Sequence, residues 1–198
     1  MKKAGVLLLL LVILGFSAGC VGDKATTNTS RNTSSMAAQK PAYVDVNGTR
    51  IYLNALHFYM YGEKGCPHCG KMKELIPKVY GENSLTYYEL LGNKTNVMLF
   101  TQIAQLTGIS GVPAIAITYN GTLYAVIEGE FNVSATPEIV ATAMKNDGML
   151  LFTGRTYLLP RDDPKAKLVI EALHTLFVEH EPVDVGKILS ELKANSTG

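Results

Sequence analysis

The chain reads as an α/β protein in which a mixed sheet is flanked by helices, with a helical C-terminal extension. Three observations carry this. From Pro41 onward, short apolar runs rich in aromatic and β-branched residues alternate with stretches of helical period. Asn120-Gly121 joins two such runs and is a strong two-residue hairpin signal. From Lys165 to Glu179, and again from Val185 to Leu192, apolar residues recur at helical spacing. The 198 residues, 47% of them apolar, suffice for a single core.

Taken in order, residues 50–53 and 57–61 read as strands, the second (HFYMY) dense in aromatics and followed by the turn-like Gly62-Glu63-Lys64-Gly65. A helix begins at Cys66 and Cys69 and runs through Lys71, Met72, Leu75 and Ile76, with Pro77 expected to bend or shorten it. Residues 85–91 form the next strand, and 93–106 a helix with Val97, Phe100, Ile103, Ala104 and Leu106 near one face. Strands 113–119 and 122–127 flank the Asn120-Gly121 turn, and 136–145 is helical, with Ile139, Val140, Ala143 and Met144 apolar. The order β-β-α-β-α-β-β-α implies helices on both faces of a sheet whose parallel part is joined by crossovers, with the antiparallel hairpin at one edge. Residues 149–198 add a hairpin around Thr153-Gly154, a helix over 165–179 and a short helix over 185–192. This segment is too apolar for a loose end; packing on the core is the expected role, with covering the active face or building a dimer as alternatives.

The N-terminus has a different character. Lys2 and Lys3 precede an unbroken apolar run from Val6 to Leu14 and the small residues Ser17, Ala18 and Gly19, the pattern of an export signal over residues 1–19. The run falls short of the ~20 residues that span a bilayer comfortably. The ending SAGC resembles a lipoprotein signal, which makes Cys20 the lipidated first mature residue; an uncleaved anchor, or ordinary cleavage with Cys20 a bystander, are the other readings. Lipidation of Cys20 would leave Cys66 and Cys69 as a pair, with no odd thiol in an oxidising compartment. Residues 20–40 have almost nothing to bury and form a Ser/Thr-rich tether. Residues 41–148 then hold the main domain.

Seven of eleven asparagines, Asn28, Asn32, Asn47, Asn93, Asn120, Asn132 and Asn195, sit in Asn-x-Ser/Thr acceptor sequences. Chance on this composition gives about one or two, so the excess points to a glycosylated, extracytoplasmic surface. Net charge is +1, and −1 once Lys2 and Lys3 are removed, which leaves no basic excess for phosphates. Nucleic-acid binding is therefore not expected.

The chemistry concentrates in Cys66-Pro67-His68-Cys69, between an aromatic strand and a helix. Two cysteines three apart at a helix start can close a disulfide within one turn. Cys66 is the nucleophile, because unpaired amides and the positive end of the helix dipole favour thiolate over thiol at that position. Pro67 suits a first turn, where a missing N–H costs little. His68 supplies a positive charge or an N–H donor near Cys66, which stabilises the reduced form and makes the disulfide a stronger oxidant. Cys69, further in and less exposed, is the resolving thiol.

Strand, CxxC helix, strand, helix, then Gly111-Val112-Pro113 opening a hairpin: over about residues 43 to 147 this resembles the thioredoxin superfamily. The resemblance implies that Pro113, 44 residues after Cys69, is a cis-proline facing the cysteines across a substrate groove. It also implies that the backbone of Val112 pairs with an extended substrate. Pro-His between the cysteines and Val before the proline are similar to the disulfide-forming oxidases of the bacterial envelope, the DsbA type. Two departures stand out. There is no room between the second core strand and Pro113 for that type's helical insertion, and the buried acid expected six residues before the first cysteine is replaced by Met60. Proton removal from Cys69 then falls to Glu63, to water, or to no dedicated base.

The expected function is thus thiol–disulfide exchange by Cys66 and Cys69 with cysteine-containing exported proteins, on the outer face of the cell membrane, in the oxidase direction. No cofactor is required beyond the redox-active disulfide, and a membrane redox partner would restore it. Alternatives are a reductase or isomerase of the same fold, or metal delivery, copper especially, with His68 recruiting His57, His174 or His180. Tyr59, Tyr61, Tyr87 and Tyr88 read as half-buried strand residues rather than a binding platform.

Overall fold

The computed structural model describes residues 42–194. The export signal, the tether, Cys20, Asn28, Asn32 and Asn195 lie outside them. Among the described residues the elements run β1 (Tyr43–Val46), β2 (Thr49–Tyr52), β3 (Leu56–Gly62), α1 (Pro67–Tyr80), β4 (Leu85–Glu89), α2 (Lys94–Thr107), β5 (Ala114–Tyr119), β6 (Thr122–Glu128), α3 (Thr136–Lys145), β7 (Gly148–Phe152), β8 (Thr156–Pro160), α4 (Pro164–His174) and α5 (Val185–Ala194). Strands β3 to β8 make one mixed sheet in the order β4-β3-β5-β6-β7-β8. Pairing is parallel for β3–β4 and β6–β7 and antiparallel elsewhere in it. This is the α/β class expected, with helices on both faces.

Period-two alternation in the central strands divides the core. On one face Phe58 and Met60 of β3, Ile115 and Ile117 of β5, and Leu150 of β7 pack with Met72 and Ile76 of α1 and Val140 of α3. On the other, Tyr61, Ala114, Ala116, Met149 and Leu151 pack with Leu99 and Ile103 of α2, Leu173 of α4 and Phe177. All six residues of β5 are buried, which accounts for an apolar run without polar alternation.

Four features differ from the sequence reading. The first strand-like run pairs with an unforeseen partner, β1, in a separate two-stranded hairpin through Asn47-Gly48, and contributes buried Ile51 to the core. Pro77 does not end α1, which continues to Tyr80 and stops at Gly81, where φ is 106°. Proline supplies no N–H for the Lys73 carbonyl, so one helix hydrogen bond is forgone, and buried Met72 and Ile76 hold the turn in place. The β5–β6 hairpin is internal, not at an edge, because β7 adds parallel to β6 and carries β8 with it. The boundary placed at 148/149 consequently falls inside β7. Finally, the helix expected over 165–179 is α4 followed by a wider π-type turn, Thr175–Glu179, that ends on His180 in the left-handed region at φ 58°.

That turn is bound tightly to the sheet. Tyr61 Oη donates to the Leu176 carbonyl at 2.8 Å and Tyr88 Oη to that of Phe177 at 3.0 Å. His180 stacks on Tyr88 with centroids 4.1 Å apart, and its Nε2 lies 2.9 Å from Asn96 Oδ1. The C-terminal segment thus packs on the core as expected. Among the described residues no helix is long and apolar enough to cross a membrane. Phe177, fully buried and edge-on to Tyr61 at 5.4 Å, tests this packing. Phe177→Ala should lower the stability of the whole domain by about 3–5 kcal/mol in urea unfolding, in one transition with the core.

Candidate active site

β3 and β5 bring the site together from two directions. Their antiparallel register ends with Tyr61 opposite Ala114, so the segment leaving β3 and the one entering β5 emerge side by side. The first carries Glu63 to Cys66, the second Val112 and Pro113. The Val112–Pro113 peptide is cis. Cys66 Sγ lies 3.7 Å from the Val112 carbonyl oxygen.

Cys66 has extended backbone and caps α1, with Pro67 in the first turn. Its Sγ accepts the Cys69 backbone N–H at 3.2 Å, one of the four amides a helix start leaves without a partner. Cys66 is partly exposed, Cys69 is buried, and both are free thiols. Burial pushes the Cys69 thiol up to about 11, helped by Cys66 beside it. The two sulfurs therefore have distinct environments, one capped by an amide at the surface and one covered.

Three carboxylates, none of them singled out by the sequence, hold the surroundings. Glu128, at the end of β6, accepts the Gly111 N–H at 2.7 Å and the Ser110 N–H at 2.9 Å, which pins the loop leading to Pro113. Gly129 N–H donates to the Pro113 carbonyl at 2.7 Å, fixing the other side. Glu130 takes His68 Nδ1 at 3.1 Å and Lys71 Nζ at 2.9 Å, and these partners hold its carboxyl below the usual range. Glu89, at the end of β4, accepts the Lys64 N–H at 2.9 Å and the Leu91 N–H at 3.0 Å through Oε1, while Tyr87 Oη donates to Oε2 at 3.2 Å. The two backbone amides are the main cause that keeps the Glu89 carboxyl low.

An open recess of about 500 Å3 runs beside the cysteines, lined among others by Glu63, Tyr87 and Glu89. Gly62 explains its inner end. A Cβ there would stand 2.8 Å from Tyr87 Cε2, 3.1 Å from Tyr87 Oη and 3.3 Å from Cys69 Sγ, so only glycine fits between ring and thiol. Gly62 belongs to β3 rather than to the turn the sequence suggested. Met60 is fully buried and apolar, and Glu63 is exposed on the rim.

The other histidines are placed apart from the cysteines. His57 Nε2 lies 2.8 Å from Thr86 Oγ1, His174 meets Gly121 and Glu179, and His180 stacks on Tyr88. Among the described residues no group of three or more His, Cys, Asp or Glu is arranged to hold a metal ion. Asn47, Asn93, Asn120 and Asn132 are all exposed, at turns or helix caps. Comparison with family models, curated proteins and solved structures finds no match for this chain. The contact at Gly62 predicts that Gly62→Ala lowers stability by about 1–3 kcal/mol, read from urea unfolding, because Tyr87 or Cys69 must move to admit one methyl group.

Proposed function

We propose that the protein is a thiol–disulfide oxidoreductase of thioredoxin-like type, exchanging a Cys66–Cys69 disulfide with cysteines of exported proteins. The observation that supports it most is the arrangement of the two sulfurs: Cys66 is partly exposed, receives a helix N-terminal amide at 3.2 Å and faces the Val112 carbonyl at 3.7 Å, with Cys69 buried behind it. A reactive thiol and a covered resolving thiol are what exchange needs, whereas an inert staple needs neither.

In the oxidase direction a substrate thiolate attacks Cys66 Sγ of the disulfide, forming a mixed disulfide while Cys69 leaves with the electron pair and takes up a proton. A second substrate thiolate attacks the substrate sulfur of that bond and releases Cys66 as thiolate. The substrate gains a disulfide and the protein is left reduced, so a membrane redox partner must accept two electrons to restore it. The Val112 backbone beside Cys66 would hold the substrate strand extended. His68, two positions after Cys66 and bound through Nδ1 to Glu130, argues for this direction, since an N–H donor or a positive charge there would stabilise the reduced form. The reductase direction runs the same steps in reverse. The lipid anchor at Cys20 and the outer face of the membrane complete the reading, with an export signal and exposed acceptor asparagines as their support.

Cys69→Ser should accumulate a mixed disulfide with exported proteins through Cys66, seen as reducible high-mass bands, and Cys66→Ser should trap none. A Cys69→Ser protein that trapped nothing would count against exchange chemistry. Glu130 tempers His68 and Lys71, so Glu130→Gln leaves more positive charge beside Cys66. Equilibration with glutathione should then shift toward reduced protein by about two- to fivefold, the size expected of exposed charge pairs.

A further inference from the structure

Resting on the exchange reading, one step has no obvious agent. Cys69 must lose a proton to attack a mixed disulfide and regain one when it leaves, yet it is buried and its thiol is pushed up to about 11. At neutral pH such a thiol is almost wholly protonated. No acid lies behind it at Met60, which is wholly within the apolar core.

We propose that Tyr87 and Glu89 form the proton path between Cys69 and solvent, with the Tyr87 hydroxyl passing the proton and the Glu89 carboxylate receiving it. Gly62 is the structural reason this is available: the space its absent side chain leaves is bounded by Tyr87 Oη and Cys69 Sγ, at 3.1 and 3.3 Å from the same point. The hydroxyl and the thiol thus flank the same glycine, and the open recess that Cys69, Tyr87 and Glu89 all line admits the water that completes the link between them. On its far side Tyr87 Oη donates to Glu89 Oε2 at 3.2 Å. The Glu89 carboxylate is ionised and fixed by two backbone amides, and it opens onto the recess.

During resolution the Cys69 proton moves to the Tyr87 oxygen as the Tyr87 proton moves to Glu89. Tyr87 ends neutral and Glu89 protonated; Glu89 then releases the proton to bulk water. The Cys69 thiolate attacks Cys66 Sγ, the disulfide closes, and the bound thiol departs with its electron pair. In the oxidase direction the same path runs backward and protonates Cys69 as it leaves. The phenol stays protonated between transfers, since burial and the neighbouring Glu89 raise it well above its ordinary value. Other charged groups face the same recess: Glu63 and Lys64 from the loop, Lys73 and Glu74 from α1. Lys73 Nζ sits 3.9 Å over the Tyr87 ring, and its charge also helps keep the Glu89 carboxyl low. The Glu63 side chain, exposed on the rim, has no comparable link to the phenol, while its backbone amide meets Cys69 and moderates the rise of that thiol.

The test uses the full chain carrying Cys20→Ser, so that Cys66 and Cys69 are its only thiols, mixed in stopped flow with dithiobis(nitrobenzoate). The first coloured thiolate reports attack by Cys66, and the second reports resolution by Cys69. Tyr87→Phe keeps the ring beneath Lys73 and removes only the hydroxyl; Glu89→Gln keeps the acceptor oxygen for Lys64 and Leu91 and removes the charge. Each should leave the first phase unchanged and slow the second at neutral pH by on the order of a hundredfold, the usual worth of positioned proton transfer. The deficit should vanish toward high pH, where hydroxide takes the proton directly. A second phase with the parent's rate and pH profile in both variants overturns the path and leaves exchange intact. A first phase slowed in step with the second overturns it too, since the substitutions would then be acting on Cys66. If the parent gives no second phase, exchange itself fails, and the proton path with it.

Discussion

The register of β3 against β5 is the constraint from which the site follows. Tyr61 opposite Ala114 is the last pair of that ladder, and the chain leaves it on one side toward Cys66 and arrives on the other through Pro113. A slip of one residue would turn Phe58, Met60, Ile115 and Ile117 out of one core and into the other face. Burial on both faces therefore holds the register, and the register brings Cys66 Sγ to 3.7 Å from the Val112 carbonyl. The approach of sulfur to carbonyl is in this sense a by-product of apolar packing a few residues away.

Around that meeting point, charge acts chiefly through backbone amides. Glu128 and Glu89 each take two main-chain N–H groups from loops that have no ladder to satisfy them, and each stands at the end of a strand that the sheet holds rigid. Loop amides left without partners would need water or would wander; a fixed carboxylate gives them one geometry. Glu130 differs, since it binds side chains on the first turns of α1 and so sets the charge beside the cysteines rather than a loop's path. The three acids lie at the ends of β4 and β6 or just beyond, where the sheet delivers them to a common rim.

The C-terminal segment ties into the opposite side of the same strands. Tyr61 and Tyr88 bury their rings against Phe177 and His180 while their hydroxyls reach the carbonyls of the π-type turn. Asn96 bridges His180 to the Glu89 carbonyl, at 2.9 and 2.7 Å. The backbone of Glu89 is thus braced from behind by the segment that follows β8, and its carboxylate is aimed forward into the recess. Through Asn96 the segment becomes part of what supports β4 at the site.

Much of this was legible in one dimension. Hydrophobic period located β3 to β8 and the helices because each element buries one face or both, and the pair Cys66 and Cys69 at a helix start is a local pattern whose chemistry comes from that helix's own amides. Asn47-Gly48 is an equally local hairpin signal, so the β1–β2 pairing too is written in the sequence. Glu89, Glu128, Glu130 and Tyr87 were not legible, since an acid or phenol at a strand end looks like any solvated residue until its partners, at separations of up to 62 positions, are known. Gly62 likewise reads as a turn until Tyr87 and Cys69 are seen to close on it. The sequence by itself determined the α/β class, the order of elements and the two sulfurs, because these depend on local periodicity and on a helix start. Tertiary structure alone decided what surrounds the sulfurs, because distances between residues remote in the chain are set by sheet order and register, which no local pattern encodes.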